Sequence, residues 1–391
     1  MTVAPGWEGV AEAFEGNLAG GEEVGAGCAV YHRGQLVVDL VGGHFDAART
    51  KPYADDTLQL VFSTTKGITA IAVGMCVQRG LLDYDEKVAT YWPEFAVNGK
   101  GDATVAQLLS HQCGLFSVDQ PTTMAEALDW DTITSRLAAG TPQWPIGTAH
   151  GYHALTYGWL AGELIRRTDG RLPGQFVAEE IAGPLGLDLW IGLPAEQEPR
   201  VSPIIGALAS QSDDPAVQAM IDQYFGPGSN AYRALFLNGA FAFEGEDETE
   251  SPFNRPEVHA AQMPAANGIT NARSLAKLYA ATFGEVDGIQ LLNDEIRERA
   301  RTKLTPDGEI DACLMGETTF GLGFMVTGPF TPYAGPGSYG HPGAGGSVSF
   351  AQPERQLGFS YVMNQMASNL AGDLRAQRLI DAAAAAADAA G

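Results

Sequence analysis

Lysine and cysteine are scarce in this chain and long apolar runs are missing, and each scarcity removes a class of function. Only six lysines occur, and 47 acidic against 23 basic side chains leave a formal net charge of −24. Such a surface repels phosphate backbones and anionic membranes, so neither nucleic acid nor a membrane is an expected partner. The same charge also serves plain solubility. Cys28, Cys76, Cys113 and Cys313 are scattered with no Cys-x-x-Cys spacing, which reads as reduced thiols in a cytoplasmic protein. No stretch reaches the roughly 20 apolar residues of a membrane span, and Met1 to Gly20 carries no visible secretion signal. Gly-x-Ser-x-Gly surrounds none of the serines, which weighs against an α/β-hydrolase. An apolar content of 45% and the absence of polar tracts exclude disorder, and no internal repeat is visible.

The stretch Leu60-Val61-Phe62-Ser63-Thr64-Thr65-Lys66-Gly67, followed by the apolar run Ile68 to Val77, is the informative one. A helix apolar all round belongs inside a protein, with Ser63 or Thr64 as its N-cap and Gly80 at its end. Lys66 falls one turn into that helix, on the face of Ser63. Desolvation would push the amine toward its neutral form, able to take the Ser63 proton, and the helix N-terminus offers N–H groups to an oxyanion. The plain alternative is a capping serine and a surface lysine. With six lysines and fifteen serines, chance alone supplies about a quarter of one Ser-x-x-Lys match. A second match, Ser274 to Lys277, is set aside: Asn271 reads as the cap of an amphipathic helix, with Ser274 inside it and Lys277 directed to water.

Trp7, Val10, Phe14 and Leu18 recur at helical spacing, and Gly27–His32 and Gln35–Val41 read as two strands about Arg33-Gly34. Helices are expected from Asp102 or Thr104 through Val105, Leu108 and Leu109 to the stretch Ser110–Leu115, over Leu155–Arg167 and over Pro173–Ile181. Ser347–Ala351 and Gln356–Met363 form a second hairpin, and Asn369–Ala390 closes the chain as a helix. Glu244 to Glu250 reads as a solvated loop. Residues 194–263 carry no clear pattern, and irregular segments of that length often line or cover a site. Strands at both ends with helices between imply one sheet built from both termini. The expected division is 1–80 with 264–391 as an α/β domain, and 81–263 as a mainly helical one.

Two later stretches could complete a site. Pro145 to Ala154 is a Gly-rich loop before a helix, and beside a protonated Lys66 the Tyr152 phenol would ionise below its usual value of about 10, as a general base. A core tyrosine hydrogen-bonded to backbone is the plain alternative. Gly340-His341-Pro342-Gly343-Ala344-Gly345-Gly346 precedes a strand, and glycines there let backbone approach a ligand. An edge-strand N–H could donate to an oxyanion, although a hairpin with a tight entry would need the same glycines. His150-x-x-His153 has metal-ligand spacing but no third ligand placed by sequence, and His111 reads as a structural hydrogen-bonding residue.

Together, Phe62 to Gly67, Leu108 to Leu115, Pro145 to Gly158, Pro264 to Ile269 and Gly340 to Gly346 resemble the serine β-lactamase and penicillin-binding-protein superfamily. Within it the chain looks most like the family VIII carboxylesterases, esterases similar to class C β-lactamases. The resemblance spans Ala26 to Met363. It implies an α/β (α+β) fold, β-lactamase-like, with an antiparallel sheet flanked by helices plus an all-helical domain. Carried over, Ser63 matches the nucleophile, Lys66 its lysine partner and Tyr152 the tyrosine of Tyr-x-Asn. The backbone N–H groups of Ser63 and Ala344 would form the oxyanion hole, and His341 and Gly343 would contact substrate where lactamases carry Lys-Thr-Gly. No cofactor and no metal are implied. Ala154 replaces the asparagine and His341 the lysine, so the amide and the permanent charge that grip a β-lactam are missing. The implied activity is hydrolysis of a small-molecule ester with a short acyl chain through a Ser63 acyl-enzyme, water then being activated at Tyr152. Alternatives are an amide hydrolase of the same fold (a weak β-lactamase, D-amino-acid peptidase or oligoamide hydrolase) and a non-catalytic binding module. Oligomeric state, a homo-oligomer included, stays open.

Overall fold

Strand β1 (Thr2–Val3), helix α1 (Glu8–Ala19) and the antiparallel hairpin of β2 (Gly25–His32) and β3 (Gln35–Gly43) begin the fold. It is a computed structural model that describes residues 2–206, 215–242, 251–367 and 372–391. Every residue of β2 is buried, because successive side chains point to opposite faces and both faces are covered. Cys28 and Val30 pack with Val10 and Phe14 of α1, while Ala29 and Tyr31 join the core on the other side.

β4 (Leu58–Leu60) leads through a short 3-10 turn, Phe62–Thr64, into helix α2 (Thr65–Gln78). All twelve residues from Thr65 to Cys76 are buried, as the all-round apolar run requires. Arg79 ends the helix and Gly80 follows at φ 71, in the left-handed region favoured there. The expected cap is not made. Ser63 lies inside the 3-10 turn, and neither it nor Thr64 caps α2 with its side chain. The serine hydroxyl is engaged elsewhere.

Residues 81–188 supply helices and no strand, among them α3 (Val105–Leu109) and α4 (Thr156–Asp169). Thr104 and Gln107 form a reciprocal capping box on α3. Pro173–Val177 is helical but passes into a π turn over Ala178–Ala182, rather than running as one helix. β5 (Leu189–Trp190) and β6 (Val201–Ser202) join β4 and β7 (Ile269–Thr270) in a small sheet ordered β5-β7-β4-β6. Strands this short show no alternation along a sequence, so none of them was legible.

Helix α5 (Ala272–Ala280) precedes β8 (Met325–Val326), β9 (Tyr339–Pro342), β10 (Val348–Gln352), β11 (Leu357–Met363) and helix α6 (Leu374–Ala389). The main sheet runs β1-β3-β2-β11-β10-β9-β8 with every pairing antiparallel, so both chain ends build it as expected. α5 covers one face, and α1 with α6 the other. Asn271 caps α5 through Ser274 N–H at 2.8 Å, yet Lys277 does not point to water. Its amine donates to the Leu185 carbonyl and pairs with Asp287, both at 2.6 Å. Residues 244–250 and the expected helix start at Asn369 lie outside the described residues; Asp373 caps the helix that follows.

Candidate active site

The site begins with a backbone distortion. Phe62 takes φ 45, a left-handed value that a non-glycine residue adopts at a cost of about 1 kcal/mol or more. Its buried ring offsets that strain by packing edge-on against Phe253 at 5.0 Å. The carbonyl accepts from Thr65 Oγ1 at 2.5 Å, fixing the turn that presents Ser63. Gly268 secures the same turn from outside: its carbonyl accepts from Val61 N–H at 2.9 Å and its N–H donates to Thr65 Oγ1 at 2.8 Å.

Lys66 is completely buried, with Nζ 3.0 Å from Ser63 Oγ, 2.6 Å from the Ala154 carbonyl and 3.0 Å from the Ala265 carbonyl. Among the described residues no acidic side chain pairs with it, and burial drives its pKa well below the ordinary lysine value. The chemistry of the three neighbours then orients the neutral amine. Both carbonyl oxygens only accept, so they take its two N–H bonds and the lone pair is left for Ser63, the one neighbour able to donate. That arrangement has the geometry a general base would need toward a hydroxyl.

The Tyr152 phenol shares a hydrogen bond with Ser63, and Lys66 Nζ lies 4.7 Å from the centre of its ring. Burial raises the phenol's pKa above the ordinary value and the Ser63 bond lowers it only in part. The expectation of an easily ionised phenol is therefore corrected: with Lys66 held neutral, no cation stands by to favour a phenolate, and both groups rest uncharged.

Two tethers hold the Tyr152 loop. On one side Gly151 N–H donates to the His111 carbonyl and His153 N–H to His111 Nδ1, each at 3.1 Å. On the other, buried Asp311 accepts from Tyr152 N–H at 3.0 Å, Cys313 N–H at 2.8 Å, Leu314 N–H at 2.9 Å and Thr318 Oγ1 at 2.8 Å. Asp311 carries no motif and sequence reasoning missed it. The spacing His150-x-x-His153 serves this loop. His153 accepts from Leu115 N–H and donates to the Gly151 carbonyl, while His150 bonds Glu309 and Thr318. All four ring nitrogens are thus spent on protein partners. No group of three metal-ligating side chains occurs among the described residues.

His341 is buried, stacked on Tyr152 at 5.8 Å, and its Nδ1–H donates to the Pro342 carbonyl at 2.7 Å. Nε2 is therefore the unprotonated nitrogen, and it has no partner among the described residues. Burial chiefly pushes the imidazole down to about 3, so no positive charge stands here near neutrality. β8 pairs only with Tyr339 and Gly340, which leaves the chain from His341 onward free on the side facing the cleft. Ala344 opens a 3-10 turn, as Ser63 occupies the start of another, and N–H groups in a first turn lack intrahelical partners. Gly345, at φ 81, lets the loop bend back under Ala344. Gly343 lies outside the walls of the cleft. A side chain there would strike the Val61 carbonyl and the Ser347 hydroxyl, so the glycine brings two loops together rather than meeting a ligand in the cleft.

Ser63, Tyr152, His341 and Ala344 line one cleft of about 340 Å³, whose other walls include Leu235, Leu314, Met325 and Phe330. Leu235 ends the short helix Asn230–Leu235, so part of the patternless 194–263 segment does line this cleft.

The sheet order and the helical segment between its halves define a β-lactamase-like fold. The chain belongs to the β-lactamase family, whose model matches residues 10–384, and is a hydrolase of that esterase and β-lactamase group. "Esterase/beta-lactamase LipL" of Mycobacterium tuberculosis (strain ATCC 25618 / H37Rv) is 36% identical over 372 residues, covering 92% of this chain and 82% of that protein. A penicillin-binding-protein homologue from Caulobacter crescentus is 39% identical with a TM-score of 0.86, covering 99% of each chain. A family VIII carboxylesterase structure is 36% identical with a TM-score of 0.84, again over 99% of each. Among the described residues no helix is long and apolar enough to cross a membrane.

Proposed function

We propose that the protein is a serine carboxylesterase that hydrolyses short-chain acyl esters through a Ser63 acyl-enzyme. The observation that carries this reading is the neutral Lys66 amine, 3.0 Å from Ser63 Oγ with its remaining capacity taken by two carbonyls. Lys66 takes the Ser63 proton as Oγ attacks the ester carbonyl, and the N–H groups of Ser63 and Ala344 hold the oxyanion. The newly charged Lys66 eases ionisation of Tyr152, which passes its proton to the departing alkoxide and recovers one from Lys66. In the second half the relay reverses: water attacks the acyl carbonyl and its proton reaches Lys66 through Tyr152. Lys66 and Tyr152 titrate as a pair in this scheme, with no pKa belonging to either alone.

A neutral His341 and the missing amide at Ala154 favour uncharged esters over anionic β-lactams. The LipL relative, an esterase/beta-lactamase by name, supports a residual lactamase activity as the second reading. The decisive comparison is hydrolysis of p-nitrophenyl butyrate against nitrocefin and D-Ala peptides, with Ser63→Ala alongside. The ester is expected to be the best substrate and Ser63→Ala to lose it. Full ester hydrolysis by Ser63→Ala rejects the scheme, and preference for nitrocefin or the peptide replaces the ester by an amide.

A further inference from the structure

Behind the Gly343–Gly346 loop lies a second chamber, half open, whose empty space is about 450 Å³ counted out into the solvent. Phe330 and Pro342 line both this chamber and the catalytic cleft, so their side chains form a shared wall. Val348 of the sheet, Tyr333, and Ala376 and Ile380 of α6 supply the apolar lining.

The polar groups of its walls are already committed to the protein. Asp373 holds Arg375 at 2.6 Å, Thr331 Oγ1 donates to the Val326 carbonyl at 3.0 Å, and Ser347 Oγ donates to the Val61 carbonyl at 3.0 Å. The Tyr333 hydroxyl is the exception, buried with no hydrogen-bond partner among the described residues. A ligand would therefore meet carbon on most sides. Beside Asp373 stands Leu374, 68% exposed and the most exposed large apolar side chain among the described residues.

We propose that this chamber receives the distal alkyl or aryl group of the ester whose carbonyl lies over Ser63, so that the preferred substrates are neutral esters with one extended apolar arm. The inference rests on the esterase reading and adds the substrate class to it. An acyl tail and an alcohol tail share the required chemistry, and two substrate series separate them. One lengthens the acyl chain, from p-nitrophenyl acetate to decanoate. The other holds butyrate fixed and lengthens the alcohol from methanol to octanol.

Both series are run on the wild type, on Ala376→Phe, which fills the chamber, and on Gln377→Trp, which blocks it from the half-exposed side of α6. The quantity read is the ratio of kcat/KM for long and short members within each protein, which cancels any loss of folded enzyme. In one series the wild type should gain about fourfold per methylene until the chamber is full. Either variant should cut the long-to-short ratio by about tenfold or more. The same ratios in wild type and both variants, in both series, would overturn the chamber's role while leaving the esterase intact. A wild type that hydrolyses neither acetate nor butyrate esters would instead reject the esterase reading, and the chamber's role with it.

Discussion

Two uncharged groups flank Ser63, and their protonation sets the pH behaviour of the site. In the proposed scheme Lys66 acts only as the free amine, and burial alone brings its pKa well down from the lysine range. The acid limb of kcat/KM should accordingly lie well below the pH at which an exposed lysine deprotonates, with activity rising as pH rises through it. Lys66→Arg keeps a cation of similar length that cannot lose its proton. It should be inactive across the neutral range, with kcat down by about 10²-fold or more, which steady-state kinetics on p-nitrophenyl butyrate would measure. An arginine variant retaining the wild-type profile would remove Lys66 from the proton path. Ser63 and Lys66 were legible because spacing on a buried helix fixes both their distance and their desolvation. Tyr152 was legible as a position but not in its resting state, which depends on how deeply three separate loops bury it.

At the level of the element, the loop carrying Asp311 does for Tyr152 what α2 does for Lys66. Asp311 Oδ1 alone accepts three backbone N–H groups, and Oδ2 accepts Thr318. Asp311→Ala leaves those buried donors unpaired and should destabilise the fold by about 3 kcal/mol, with a fall in kcat as the Tyr152 loop loosens. Asp311→Asn keeps the three acceptor contacts at Oδ1 and replaces the bond accepted from Thr318 by one that its amide donates to that hydroxyl, so it should lose far less of both. Urea unfolding and ester kinetics on the two variants check this; equal losses would show that charge rather than loop geometry matters. Nothing in the sequence marked this aspartate, because its partners come from 159 residues away and from a segment without periodicity. The β4–β7 sheet was hidden for a related reason: strands of two or three residues take their identity from neighbours in space.

At the scale of the whole molecule, the two chain ends meet in a buried ion cluster. Arg375 contacts Glu23 and Asp373 and donates to the carbonyls of Glu22 at 3.0 Å, Gln365 at 3.0 Å and Gly345 at 2.8 Å. It thereby ties the start of the sheet, the end of β11 and the loop under Ala344 to α6. Arg375→Met would strand two buried carboxylates and should lower stability by about 3–5 kcal/mol, read by chemical denaturation. A joint sheet from both termini was legible in the strand patterns, but this cluster was not, since its members are ordinary charged residues along the chain.

Acid stability follows from three buried neutral histidines. Burial holds His111 well below its usual range, His153 at about 4 and His341 at about 3. Their neutral forms contribute fully above the ordinary value of about 6.5, and the contribution is lost as pH falls toward those lower values, because the unfolded chain takes up protons first. Glu23, raised to about 7 chiefly by burial, works oppositely between about 4.5 and 7. The Tm should therefore drop as pH falls from 7 to 4; a flat or rising Tm would show that these imidazoles are charged in the folded state.

The most direct measurement is the mass of the enzyme caught during turnover. Rapid quenching of Tyr152→Phe with p-nitrophenyl butyrate, followed by digestion and mass spectrometry, should place one butyryl group on the peptide carrying Ser63, at its hydroxyl. Ester turnover with no adduct there, or with the butyryl group on another residue, would contradict a chemistry centred on Ser63, Lys66 and Tyr152.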